Sequence, residues 1–334
     1  MSLPSIRTAP SVIALVAAAT LAAALAGCAP SPAAPSPSDS ATAASDAYPL
    51  EVIDCGAPVT IEAAPQAVFT VGTAAVELLD AAGASDLIVA RSGEFDAPLS
   101  DELTDPPADE LIVDAFDPTT EQIIGSGADT VIGYGLFNAD LAQVQAAGIT
   151  VLTVAGECGH DASTDAAPVV DFSTISDDIR RFGSIFGTTQ AADAAVAALD
   201  ARVEAGTRPA SGDSAAWIYY FSGEANISAY GGQGMPNVAI ETAGLTNVFA
   251  DQAASYIDTS MEALLDAQPD WIVIGYGFTG DTADDARARF LSEPGADALE
   301  AVAADRIIMM PSAVSGAGPT SVAAVELLAE GLGG

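Results

Sequence analysis

The sequence predicts an α/β chain of two lobes, each with a central, mostly parallel sheet, joined by one long helix. Three observations carry this. Short β-rich runs alternate with helical runs in two separate stretches. A strand-free helical segment separates those stretches. One short pattern, Val-Ile-Gly-Tyr-Gly with a Phe close behind, occurs once in each.

In the first stretch the strand candidates are 67–71 (AVFTV), 87–90 (LIVA), 129–133 (DTVIG) and 149–154 (ITVLTV). Helical patterns fall between them at 74–82, 119–126 and 139–147. Gly83, Gly127 and Gly148 close these runs, as glycine commonly does past a helix end. From Ser173 to Ala205 the chain reads as almost wholly helical. Ile175, Ile179, Phe182 and Phe186 recur three to four apart, and Gly187 breaks the run. The next segment, Gln190–Ala205, has high helix propensity throughout and would span roughly 23 Å. Gly206 and Pro209 end it. The second stretch offers strands at 216–221 (AWIYYF), 271–275 (WIVIG) and 306–310 (RIIMM), with helices at 238–243, 261–267, 283–291 and 321–330.

The repeated pattern sits in ADTVIGYGLF (128–137) and PDWIVIGYGF (269–278). Each copy follows a short helix bearing a glutamate. Glu121 lies ten residues before Val131, and Glu262 eleven before Val273. A shared motif, a shared upstream acid and a shared place in each stretch together indicate two lobes built on one plan.

The first residues point to export. Arg7 is the only charge in Met1–Cys28, and an unbroken small and apolar stretch runs from Ser11 to Gly27. That is the layout of a secretory signal, and it is short for a membrane span. It closes on Leu25-Ala26-Gly27-Cys28, which resembles a bacterial lipobox. The resemblance implies cleavage before Cys28 and lipid on its sulfur; a plain signal peptide with a nearby cysteine is the alternative. Ala29 to about Tyr48 is rich in Pro, Ser and Ala and reads as a disordered tether. The expected organisation is leader 1–27, lipidated Cys and tether 28–47, first lobe 48–170, helical connection 171–209 and second lobe 210–334. The location is then the outer face of the cell membrane.

Nine basic residues face 46 acidic ones, a net charge of −37, and lysine is absent. Such a chain repels nucleic acid and anionic lipid, which are bound by replacing counterions with basic side chains. Of the three cysteines, Cys28 is used by the lipid. Cys55 and Cys158 remain in an exported domain, where disulfides persist, and are expected to pair; two free buried thiols are the alternative. His160 is the only histidine, so a His-dependent catalytic set has just this one candidate, and a His-rich metal site cannot be assembled. Nucleophile-elbow, phosphate-loop and His-Glu-x-x-His strings are absent. No enzyme activity, resident cofactor or protein-held metal is expected.

Ligands of open α/β sheets bind beyond the carboxyl ends of the strands. Those ends carry Tyr134 and Phe137 in the first lobe and Tyr276 and Phe278 in the second. Tyr230 and Met235 follow the AWIYYF strand among small residues. Facing lobes would make an aromatic-walled cleft from these side chains; ordinary core packing is the alternative for each. Arg91 ends the LIVAR strand, where it would hold an anionic group of a ligand or pair with a carboxylate such as Glu94.

Taken in order, these segments resemble the substrate-binding proteins of ABC importers for iron–siderophores, haem and cobalamin. APQAVFTVGTAAVELLDAAGASDLIVARSG is similar to the family's opening strand, helix and second strand. TTEQIIGSGADTVIG is similar to its helix-then-strand signature, with Ala128 where the family usually has Pro. SMEALLDAQPDWIVI is the second-lobe counterpart and keeps Pro269-Asp270. AIETAGLTNVF and LEAVAADRIIMMP followed by GPTSVAAVELLAEGL also fit in order and spacing, so the likeness runs from about Pro65 to Leu332. It implies two Rossmann-like lobes, a ligand cleft between them and a single rigid helix, here Gln190–Ala205, that permits only modest closure. It also implies docking on a permease dimer through one glutamate per lobe, at the positions of Glu121 and Glu262. The chain would then work as a monomer that delivers a metal chelate, an iron–siderophore first. Cobalamin or haem, or a tethered sensor without transport, are the alternatives. The acidic field suits neutral or cationic hydroxamates over anionic catecholates.

Overall fold

The computed structural model describes residues 47–159, 170–221, 226–278 and 280–333. The expected leader, the lipidation site Cys28, the tether up to residue 46 and His160 lie outside the described residues.

The first lobe opens with an antiparallel hairpin, β1 (Leu50–Asp54) and β2 (Ala57–Ile61). Its two-residue turn, Cys55-Gly56, has positive φ at both positions, the conformation that matches the twist of the flanking strands. A five-stranded sheet follows, built from β3 (Val68–Val71), β4 (Ile88–Ser92), β5 (Ile112–Asp114), β6 (Thr130–Gly133) and β7 (Thr150–Thr153). Its order is β5-β4-β3-β6-β7 and every pairing is parallel. The connecting helices are α1 (Thr73–Ala81), α2 (Thr120–Gly125) and α3 (Leu141–Ala146). Gly83, Gly127 and Gly148 all carry the positive φ that their place past a helix end requires.

The connection contains two helices rather than one. α4 (Phe172–Phe186) ends at Gly187, in the left-handed region, and α5 (Thr189–Gly206) runs back along it. Gly187 is the break expected from the sequence, and α5 is the longer, lobe-spanning piece.

The second lobe holds β8 (Ser214–Tyr219), β9 (Ile227–Tyr230), β10 (Thr246–Asn247), β11 (Tyr256–Thr259), β12 (Trp271–Tyr276) and β13 (Ile307–Pro311). The order β11-β9-β8-β12-β13 has parallel β8, β12 and β13, but β9 runs antiparallel to both β8 and β11. β10 pairs with the start of β8 on the edge whose far half β9 occupies. This sheet is therefore mixed where the first is wholly parallel. Its helices are α6 (Met235–Thr242), α7 (Met261–Ala267), α8 (Ala283–Ser292), α9 (Glu300–Ala303) and α10 (Val322–Gly331).

Side chains alternate across each sheet, and the two faces bury into different cores. On β12, Ile272 and Ile274 join a core private to the second lobe, whereas Val273 joins a larger one. On β3, Phe69 and Val71 join a core private to the first lobe, whereas Val68 joins the same larger one. That larger core runs through Leu79, Ile179, Phe182 and Leu199 to Trp217, Met310 and Leu328, so the lobes share one apolar interior through α4 and α5. Interiors of this kind resist deformation, which limits relative motion of the lobes.

Polar ties reinforce the seam. Arg202 on α5 forms paired bonds to Glu102 of the first lobe, at 2.7 and 3.0 Å, and to Glu326 on α10, at 2.7 and 2.8 Å. Glu77 on α1 is fully buried and accepts 2.6 Å from the Thr320 hydroxyl across the seam. Loss of hydration pushes its carboxyl up to about 8, against the opposing pull of the Thr320 bonds. The hairpin is fastened as well: Cys55 and Cys158 form a disulfide, with Cα atoms 5.4 Å apart.

Candidate functional site

Chain order in the first sheet reverses between β3 and β6, and open α/β sheets bind ligands beyond the carboxyl ends at such a point. A cavity of about 420 Å³ lies there, closed on the opposite side by the second lobe. Both lobes contribute aromatic rings, and the size falls in the usual range for small-molecule sites.

The first-lobe wall is organised around Tyr134, which follows β6. Its ring lies over Gly72 and Gly93, at the carboxyl ends of β3 and β4. A Cβ on Gly72 would sit 2.7 Å from the ring, and one on Gly93 2.4 Å from its hydroxyl. Both glycines also have positive φ, so side chains are disfavoured there twice over. The Tyr134 hydroxyl donates to Asp117 at 2.6 Å. Burial, then this bond and the Asp117 charge, push the phenol well above its ordinary range and keep it neutral. Phe95 and Phe137 flank it, with ring centroids 6.4 and 5.8 Å from Tyr134.

On the second-lobe wall Tyr219, the last residue of β8, packs on Phe278 and Tyr230, each at 4.9 Å between centroids. Tyr230 lies beneath, between Tyr219 and Tyr256. Burial pushes the Tyr219 hydroxyl up to about 12 and Tyr230 higher still. Phe221 completes the rim and meets Phe95 of the first lobe at 5.8 Å, so the two walls touch.

Among the described residues, the charged groups that line the cavity are all acidic. Glu94, Asp117 and Glu157 line it, and among the described residues no arginine does. Glu94 is buried and bonded by Arg91 at 2.7 and 2.8 Å, which offsets its charge. Glu157 sits on the turn after β7. The Ala155 N–H donates to Asp178 at 2.6 Å, Arg181 donates to Thr153 at 2.6 Å, and Cys158 is held by the disulfide. The Glu157 charge is the leading cause that raises the Tyr256 hydroxyl, and it adds to the burial that raises Tyr134 and Tyr230.

Of the cleft residues expected from the sequence, Tyr134, Phe137 and Phe278 line the cavity. Tyr230 and Met235 are buried behind the second wall, beside a recess of about 10 Å³. Tyr276 continues the alternation of Ile272 and Ile274 and packs on the private core of the second lobe. Arg91 does not reach the cavity. Its guanidinium is buried and occupied by Glu94 and by the carbonyls of Pro107 and Ala108, which corrects the anion-holding role considered for it. Phe95, Asp117, Glu157, Tyr219, Phe221 and Tyr256 line the site without having been singled out. Among the described residues, no group of three or more metal-binding side chains clusters.

Glu121 and Glu262 occupy matching places. Each is exposed at the second position of a helix whose N-cap side chain bonds into the first turn, Thr119 for α2 and Ser260 for α7. Each helix leads to the strand beside its lobe's opening strand, β6 beside β3 and β12 beside β8.

A model of the periplasmic binding protein family matches residues 68–314, and the chain belongs to that family. Its members are solute-binding proteins rather than enzymes; they work with ABC permeases, and their location is extracytoplasmic. No curated protein matches the sequence significantly. Among solved structures, an ABC-type Fe3+-hydroxamate transport protein from Saccharomonospora viridis is 26% identical with a TM-score of 0.73, over 86% of this chain and 100% of that one. A vitamin B12 binding protein of Vibrio cholerae is 21% identical with a TM-score of 0.57, over 81% and 97%. A haem binding protein of Pseudomonas aeruginosa is 20% identical with a TM-score of 0.63, over 79% and 91%. The last two likenesses concern the fold alone. Among the described residues no helix is long and apolar enough to cross a membrane.

Proposed function

We propose that the chain is the binding lipoprotein of an ABC importer, tethered through lipid on Cys28, and that it captures a ferric hydroxamate-type chelate in the cavity between its lobes. The observation that carries this reading is the cavity itself: aromatic walls from both lobes enclose a site that holds carboxylates and, among the described residues, no basic side chain. Apolar rings suit the organic shell of a chelate, and the carboxylates that line the site disfavour polyanionic catecholates. The 26% identity to a protein of a hydroxamate system agrees with that choice. The first lobe is taken as 48–170, the helical connection as 171–209 and the second lobe as 210–334. Glu121 and Glu262 serve as a two-point contact with the permease, setting orientation through charge pairs that are readily released.

Two experiments test this. Calorimetric titration of the protein lacking its leader, with ferric hydroxamates, ferric catecholates, haem and cobalamin, should show saturable binding of a hydroxamate. Binding of haem or cobalamin alone would replace the chelate by another solute. For docking, the Glu121→Arg, Glu262→Arg double variant should lose cellular uptake while keeping its solute affinity; unimpaired uptake contradicts the docking role.

A further inference from the structure

We infer that Glu77 is a positioning residue for the cavity: in its protonated form it fastens the segment 312–318 of the second lobe at the cavity wall, and its ionisation releases that segment and weakens solute binding. This rests on the proposed role of the cavity as the solute site. Glu77 lies between two pieces that line the cavity. The start of α1 supplies Thr73 and Ala74, and the second lobe supplies Ser312, Ser315 and Gly316. Glu77 is one turn further along α1 and only 2% exposed. The facing segment runs close against it: a Cβ on Gly318 would collide with the Glu77 carboxyl, and on the far flank Ala317 leaves no room for a Cβ on Gly156.

Counting protons links this contact to the cavity. The Thr320 hydroxyl lies 2.6 Å from Glu77 and 3.1 Å from the Ala313 carbonyl. A hydroxyl has one proton, so it donates to one of them at a time, and its bond to Glu77 runs either way. With Glu77 protonated, the carboxyl donates to Thr320, and Thr320 donates to Ala313. With Glu77 ionised, the hydroxyl proton is drawn to the carboxylate, and the Ala313 carbonyl loses it. Ala313 belongs to the turn Ser312–Val314, so the change reaches Ser312 and Ser315 at the cavity. An ionised carboxylate in so close a contact also has to draw in water or part the two lobes. The charges that act on Glu77 oppose ionisation: Glu102, from the loop ahead of β5, and Asp80, on the same helix. Arg202 of α5 is taken up by Glu102 and by Glu326 of α10, and Asp178 of α4 is bonded by Arg181. Burial, the largest influence, pushes the Glu77 carboxyl up to about 8, so its proton leaves in mildly alkaline solution.

Two readouts test this on the protein lacking its leader. Calorimetric titration with a ferric trihydroxamate should show binding about tenfold weaker at about pH 9 than at about pH 6.5. Glu77→Gln, whose amide donates to Thr320 as the protonated carboxyl does, should bind within about threefold of the wild type at the lower pH and show no fall at the higher. The second readout needs no solute. Hydrogen exchange of the amides of residues 313–320, normalised to those of α8 in the same sample, should quicken about tenfold over that pH range in the wild type and stay level in Glu77→Gln. A wild-type affinity that holds to the higher pH, or a fall that persists in Glu77→Gln, overturns the positioning role while the hydroxamate reading stands. If haem or cobalamin binds instead of hydroxamates, the solute reading fails, and the same pH profile taken with that solute decides the role of Glu77. If Glu77→Gln folds poorly, the wild-type exchange decides: a ratio of 313–320 to α8 that stays level with pH overturns the inference.

Discussion

The two lobes share a plan and differ in how they build their half of the cavity. Both place the Val-Ile-Gly-Tyr-Gly pattern on the strand beside their opening strand, β6 and β12. In the first lobe Gly72 and Gly93 clear a seat, and Tyr134 lies in it facing the cavity. In the second lobe Tyr219 occupies the end of β8, Phe278 stacks on it, and Tyr276 turns to the opposite face. A repeated motif therefore preserves the backbone path, while the neighbouring strand ends decide which ring faces the cavity. The lobes also differ in fastening. The first carries the hairpin, the disulfide and the Arg181 network around Asp54 and Asp178, whereas the second relies on packing and on the antiparallel strands β9 and β11.

The strongest way to break this contrast is to unfasten the first lobe. The disulfide closes a loop with a sequence separation of 103, and removing such a bridge typically costs about 2–5 kcal/mol. A Cys55→Ser, Cys158→Ser variant should lose that much in urea unfolding. It should also bind solute less tightly, because the turn after β7, which lines the cavity, is released. A loss below about 1 kcal/mol would mean that Arg181 alone suffices.

The seam between the lobes gives the next effect. Glu77 has a folded-state value near 8 against an ordinary 4.5, so the folded protein keeps a proton that the unfolded chain gives up. The stability this proton represents is complete below pH 4.5 and drains away as pH rises toward 8, by roughly 3–5 kcal/mol. Asp178, pushed up to about 6 by burial, acts in the same direction. Urea midpoints should fall between about pH 5 and pH 8. The fall should be much smaller in Glu77→Gln, which keeps an acceptor for Thr320. An unchanged slope in that variant would remove Glu77 as its source.

A smaller change sharpens the comparison of the walls. Gly93→Ala should cost about 1–3 kcal/mol, since φ is positive and the added Cβ would lie 2.4 Å from the Tyr134 hydroxyl. It should weaken solute binding about tenfold or more by unseating that ring. Gly212→Ala has the same sign of φ but open space around its Cβ, and should show the strain alone, with binding intact. Equal effects on binding would show that the seat of Tyr134 is immaterial.

Much of the architecture was legible because long periodic elements announce themselves. The helix expected at 261–267 is α7, Met261–Ala267, and the break at Gly187 divides α4 from α5 where anticipated. The strands that went unread are short or depend on partners. β5 has three residues and β10 two, too few for any period, and β9 and β11 take their direction from β8. The β1–β2 hairpin did leave a trace, since LEVID alternates and Cys55-Gly56 allows a tight turn. The site was harder to read. Tyr219 and Tyr220 are adjacent, yet one faces the cavity while the other lies under Arg289, 3.9 Å from its ring centroid. Only the register of β8 decides between them. Arg91 stood out as a rare cation at a strand end, but Glu94, three residues on, already occupied it.

The central claim is that a metal chelate sits between Tyr134 and Phe137 on one side and Tyr219 and Phe278 on the other. Diffraction from crystals grown with a ferric trihydroxamate, recorded at the iron absorption edge, tests it most directly. The account predicts one anomalous peak inside the interlobe cavity. A peak on the outer surface, or a cavity left without iron in a protein shown to bind the chelate, would contradict it.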